Sequence, residues 1–129
     1  MLGNIEDDFH ALGRRMVSLF SQAAGWEVVD LGNDVPAEEL VAKAKALGAR
    51  VIGASAMMYT TAKNIRRLRE ALDRGDLTGR VQLAVGGAVF NLRPELVAEV
   101  GGDGTARSAL AAPALFEELA RRSLALEKP

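Results

Sequence analysis

Short apolar runs alternate with helical stripes along the whole chain. Residues 2–5, 26–31, 51–54 and 81–85 are compact and apolar, and mostly lack strict alternation with polar positions. Such runs suit strands covered on both faces. Between the first two, Leu12, Met16, Leu19, Phe20 and Ala23 recur at spacings of three and four, and Gly25 ends the pattern. A second helix opens at Pro36 with Glu38 and Glu39 at its positive end, buries Leu40, Val41, Ala44 and Leu47, and stops at Gly48. Thr60 or Thr61 is placed to cap a third carrying Ile65, Leu68 and Leu72. Residues 93–100 read as a short fourth helix closed by Gly101-Gly102. Residues 109–124 read as a fifth, with Pro113 tolerable only in its first turn.

Alternating strands and helices with short connections make parallel βαβ units with right-handed crossovers. With a short fifth strand near residues 104–106, the pattern predicts an α/β, flavodoxin-like (Rossmann-like) fold. Its five-stranded parallel sheet has order 2-1-3-4-5 and helices on both faces. No linker, repeat or low-complexity segment divides residues 1–129, which form one expected domain.

Composition narrows the function classes. A chain of 129 residues buries enough surface to fold without staples. It has no cysteine, which removes disulfides, thiolate metal sites and thiol chemistry together. The net charge of −1 argues against a nucleic-acid or anionic-membrane surface. No apolar run is long enough to span a bilayer and no signal peptide is visible, so a soluble, cytoplasmic protein is expected.

In an open parallel sheet, ligands bind beyond the carboxyl ends of the strands. The first run leads into Asp7-Asp8-Phe9-His10, the second into Asp30-Leu31-Gly32-Asn33-Asp34, the third into Ser55-Ala56-Met57 and the fourth into Gly86-Gly87. His10 is the one histidine of the chain. At the start of a helix the dipole favours its neutral, ligand-competent form, and Asp8 is placed to receive its other N–H. Taken singly, each feature has a plainer reading. Asp8-Phe9-His10 is a helix-capping loop, Ser55 a small strand-end residue, and Gly86-Gly87 a tight turn. Phe9 serves equally as a ligand contact or a buried staple, and Trp26 as core or edge packing. The basic run around Arg66, Arg67 and Arg69 reads as a solvated helix face, and Met57-Met58-Tyr59 as a soft partner surface or a filler of irregular space. No phosphate-binding loop, nucleophile triad or histidine pair is present.

Taken in order, Asp8-x-His10-x-x-Gly13, Ser55-x-Met57 and Gly86-Gly87 resemble the signature of cobalamin (vitamin B12)-binding domains of the methionine synthase and corrinoid methyltransferase type. The stretch VVDLGNDVPAEEL, residues 28–40, is similar to the family's segment between the first two motifs. The resemblance spans nearly the whole chain and implies roles residue by residue. His10 would be the metal ligand, taking the lower axial position on cobalt and displacing the cofactor's dimethylbenzimidazole (base-off, His-on). Asp8 would hydrogen-bond that imidazole, with Thr61 completing the relay. The displaced nucleotide tail would enter a slot beside the first helix. Gly13 would leave room there, Ser55 would bond the base, and Gly86-Gly87 would allow close backbone approach. Phe9, Ala11, Leu12, Met57 and Tyr59 complete the implied cofactor contacts.

The chain departs from the family in places. Met57 replaces a usual Leu and Tyr59 a usual Thr. Ala11-Leu12-Gly13-Arg14-Arg15 stands where Asp-Ile-Gly-Lys-Asn is usual, and Thr105 replaces a common aromatic. The implied function is a corrinoid methyl carrier, a component of a cobalamin-dependent methyltransferase system rather than a complete enzyme, holding methylcobalamin or another upper-ligand form. A cobalamin-dependent sensor or transcriptional regulator and the cobalamin subunit of a mutase are the alternatives. DLGNDVP favours the carrier, while HALGRRMV followed by AGW is similar to the sensors. The helical cap of relatives is expected to be absent from this chain. Methyltransferase subunits, a regulatory partner or a second copy would then cover the upper corrin face.

Overall fold

Alternate residues of the central strands face opposite layers of helices, and that parity organises the molecule. The computed structural model describes residues 1–6 and 11–127, with side chains as far as residue 123. Four parallel strands form one sheet among them: β1 (Leu2–Asn4), β2 (Val51–Ser55), β3 (Gln82–Gly86) and β4 (Gly104–Thr105), in the order β1-β2-β3-β4. The helices are α1 (Ala11–Ala23), α2 (Ala37–Leu47), α3 (Tyr59–Arg74), α4 (Ala88–Leu92), α5 (Leu96–Glu99) and α6 (Ala112–Glu127), with a single 3-10 turn at Ala109–Ala111.

Ile52, Ala54, Leu83 and Val85 point to one side of the sheet, where Leu40 and Ala44 of α2, Ile65, Leu68 and Leu72 of α3, and Phe90 and Leu96 of the short helices enclose them. Leu2, Val51 and Ala84 point to the other side and meet Ala112, Phe116 and Leu119 of α6, with Val17 of α1 half-buried against them. Helices therefore cover both faces, as the near-continuous apolar strands require.

The five-stranded order 2-1-3-4-5 is corrected. Residues 26–31 form no strand, although the chain from Val29 to Val35 does run along the free edge of β1. Leu2 N–H donates to Val29 O at 2.9 Å, Leu31 N–H to Leu2 O at 2.8 Å, and Val35 N–H to Asn4 O at 2.9 Å. Only two isolated bridges result, Leu2↔Asp30 and Ile5↔Val35. Between them Gly32 at φ 90° and Asp34 at φ 53° leave the extended region, so the ladder cannot propagate.

Helix α2 follows its signals closely: Pro36 precedes the first turn and Gly48, at φ 66°, closes the last. Neither Thr60 nor Thr61 caps α3, whose N-cap is Met58; Thr61 instead donates from Oγ1 to Met58 O at 3.0 Å. The helix expected over residues 93–100 shrinks to α5, beyond Pro94, and α4, which the sequence pattern did not predict, precedes it. Helix α1 reverses its expected face: Leu12 and Leu19 are 74% and 63% exposed, while Arg14 and Ser21 are buried. No helix among the described residues is long and apolar enough to cross a membrane.

Candidate functional site

The inward face of the sheet toward α1 and α6 is built from unusually small residues. Pairing places Leu2, Gly53, Ala84 and Gly104 in one row, and Asn4, Ser55 and Gly86 in the row nearer the carboxyl rim. Glycine, alanine and serine at four neighbouring positions on β2 and β3 remove the side-chain layer that would otherwise meet the helices. A cavity of about 350 Å³ occupies that place. Its walls include Gly13, Arg14 and Val17 of α1, Ala112, Leu115 and Phe116 of α6, and the loop at residues 106–108.

Gly13, Ser55, Gly86 and Gly87 all line this cavity, so four of the sequence candidates meet in one place. The glycines differ in what they do. A Cβ built at Gly13 or Gly86 would meet nothing within 4 Å, so at these two positions the absent side chain leaves open volume in the cavity. A Cβ at Gly87 would lie 1.9 Å from the Ala56 carbonyl oxygen, and φ there is 118°. Gly87 is therefore required by the turn itself.

Other candidates lie elsewhere. Ala11 and Leu12 form the first turn of α1, with Leu12 exposed and neither residue on the cavity wall. Met57 and Tyr59 stand half-exposed at the rim and do not line it either. Two cations approach the Tyr59 ring, Lys63 Nζ at 5.4 Å and Arg93 Cζ at 5.1 Å from its centroid. Thr61 is buried. Asp8, Phe9 and His10 lie outside the described residues. Among those described, no group of three or more histidine, cysteine or acidic side chains gathers to hold a metal.

Sequence reasoning passed over the polar wall of the cavity. Arg14 is only 6% exposed and donates from Nη1 to Asn4 Oδ1 at 2.8 Å and to Asn33 Oδ1 at 2.6 Å. Its Nε lies 2.8 Å from Asp30 Oδ1, an ionic contact rather than a directed hydrogen bond. This cluster pins α1 to β1 and to the irregular edge segment, which holds one cavity wall in place. Gly53, Ala84 and Phe116 were also missed. The signal for the first two was available, since each lies two residues before a strand-end candidate, Ser55 or Gly86, and so shares its face.

Known proteins bear directly on this arrangement. Residues 1–114 match the family described as the B12 binding domain. The chain is 41% identical over 117 residues to dimethylamine corrinoid protein 2 of Methanosarcina mazei, covering 91% of this chain and 54% of that one. It is 41% identical over 88 residues to trimethylamine corrinoid protein 1 of the same organism, covering 68% and 41%. The chain thus spans about half the length of the curated relatives it matches. Among solved structures, the monomethylamine corrinoid protein of Methanosarcina barkeri superposes with a TM-score of 0.83 at 30% identity, over 92% of this chain and 56% of that one. The methanol:cobalamin methyltransferase complex MtaBC from the same organism gives a TM-score of 0.82 at 26% identity, over 93% and 45%. With the motifs, the parallel sheet and these matches in agreement, the chain belongs to the B12-binding domain family, and its cofactor is cobalamin.

Proposed function

We propose that this chain is the cofactor-holding domain of a corrinoid methyl-carrier protein, binding cobalamin base-off and His-on and working with partner methyltransferases in the cytoplasm. The observation that carries the site is the cavity on which Gly13, Ser55, Gly86 and Gly87 converge. Its open Cβ positions at Gly13 and Gly86 and its largely apolar walls fit a flat heterocycle on a tether. The likeness to dimethylamine corrinoid proteins and to a methanol:cobalamin methyltransferase complex supports the carrier role.

When bound, the cofactor would supply a cobalt that accepts and releases a methyl group. The residues of this chain would set its surroundings. His10 would hold the metal, Asp8 would accept the other imidazole N–H and raise its basicity, and Thr61, by turning its hydroxyl away from Met58 O, would extend that hydrogen-bonded chain. Ser55 would bond the displaced base, Gly13 and Gly86 would give it room, and the Gly86-Gly87 backbone would lie close to it. Phe9, Ala11 and Leu12 on one side, and Met57 and Tyr59 on the other, would border the corrin. The exposed Met57, Met58 and Leu92 leave an apolar rim suited to a covering methyltransferase subunit or a second copy.

Two measurements test the proposal. Electron paramagnetic resonance of the protein loaded with Co(II) cobalamin should show splitting from one axial nitrogen, lost in His10→Ala. Splitting that survives this change removes the axial role. Isotope-labelled methylamines or methanol, supplied with a matching methyltransferase, should transfer label to the loaded protein. No transfer from any donor would overturn the carrier role.

A further inference from the structure

The inner end of the cavity differs chemically from its mouth. Ser55 lies in the row nearer the rim, and Gly53 lies one row deeper beside Leu2 and Ala84. Phe116 closes that deeper end: a Cβ built at Gly53 would come within 2.6 Å of Leu2 Cδ2 and 3.5 Å of Phe116 Cζ. Leu2, Gly53 and Phe116 also line a second cavity, of about 300 Å³, on the far side. They therefore form a partition, apolar on the slot side. Behind it lies the Ser21 hydroxyl, fully buried and with no hydrogen-bond partner among the described residues. The deep end can receive a hydrocarbon edge without loss, whereas ring nitrogens or an exocyclic amine pushed against it would give up water and find no partner.

We propose that the Leu2–Gly53–Phe116 partition makes the slot selective for the base of the cofactor's nucleotide tail, admitting benzimidazole-type bases and rejecting purines. This inference rests on the cofactor reading above and extends it to which member of the cobamide class the protein takes. Gly53 sets the depth available to the base, because any side chain there would take up volume at that end and crowd Leu2 and Phe116. Phe116 keeps the slot apolar by shutting off the Ser21 hydroxyl.

The test compares equilibrium binding of three probes to this chain, followed by the visible spectrum: cobalamin, adeninylcobamide, and cobinamide, which lacks the nucleotide tail. Cobalamin should bind at least tenfold more tightly than adeninylcobamide. Gly53→Ala should weaken cobalamin at least tenfold and leave cobinamide unchanged. Phe116→Ala should narrow the preference for cobalamin over adeninylcobamide at least threefold. Equal affinity of the unaltered chain for the two complete cobamides overturns the selectivity, whatever the variants do. Failure to bind any of the three probes would instead overturn the cofactor reading itself.

Discussion

Gly86 and Gly87 are neighbours, and alanine at each should damage a different property. At Gly87 the backbone sits at φ 118° and ψ 163°, a region essentially closed to side chains, which costs an alanine roughly 1–3 kcal/mol. The added Cβ would also stand 1.9 Å from the Ala56 carbonyl oxygen and 2.8 Å from its carbon. Those are backbone atoms of the β2–α3 connection, so relief requires moving the chain, at roughly 1–3 kcal/mol more. Gly87→Ala should therefore lose about 2–6 kcal/mol, a large share of the stability of a small domain. At Gly86 the same methyl group meets nothing within 4 Å. Its free protein should unfold within about 0.5 kcal/mol of the unaltered chain, since alanine at a strand position is no worse than glycine. The methyl group would, however, intrude on the cavity. Crowding a filled site costs roughly 1–3 kcal/mol, which at 1.4 kcal/mol per factor of ten weakens cobalamin about 5- to 150-fold. Urea unfolding of the free protein gives the first quantity and equilibrium titration with cobalamin the second. Equal stability losses for the two variants, or an unchanged cobalamin affinity in Gly86→Ala, would refute this division of roles.

Arg14→Met should destabilise the free protein by about 2–3 kcal/mol in urea unfolding, because Asn4, at 0% exposure, loses its charged donor and Asp30 its counter-ion. Arg14→Lys, which keeps the charge but not the fork of donors, should fall between the two. Asp103 accepts from Leu83 N–H at 2.7 Å and from Arg69 Nη2 at 2.8 Å, joining the β4 approach to β3 and α3; Asp103→Ala should cost about 2 kcal/mol by the same assay. The Glu95 carboxyl is held below its usual value by a hydrogen bond from its own backbone N–H and then by the Arg93 side chain. Its favourable contribution is present above pH 4.5 and is lost as the pH falls through the depressed value. Carboxyl carbon shifts followed by NMR should show that pKa moving back up in Arg93→Ala.

The parts of the fold legible in sequence are those set by neighbours along the chain. Pro36 and Gly48 bracket α2 because a fixed φ starts a helix and a left-handed residue ends one, whatever packs above. The strand-end candidates were visible because a parallel sheet carries its ligands at one rim. Residues 26–31 misled because a β-favourable composition says nothing about ladder continuity. Gly32 and Asp34, just past that run, take positive φ and cut it to two bridges. Helix α1 misled for a different reason. Its apolar residues have the spacing of a core stripe, yet the helix stands across a slot from the sheet and turns Arg14 and Ser21 inward.

The chain's own order of residues determined the class of fold, the rim on which a ligand is expected, and the motif set that joins it to cobalamin-binding domains. Each of these depends on local backbone preference or on identity at a few positions. Only the folded arrangement decided that Gly53, Ala84 and Phe116 shape the slot, that Arg14 braces its wall, and that Gly86 serves volume while Gly87 serves the turn. Those roles depend on atoms brought together from strands and helices tens of residues apart, and the distances between them exist only once the sheet and its two helical layers have packed.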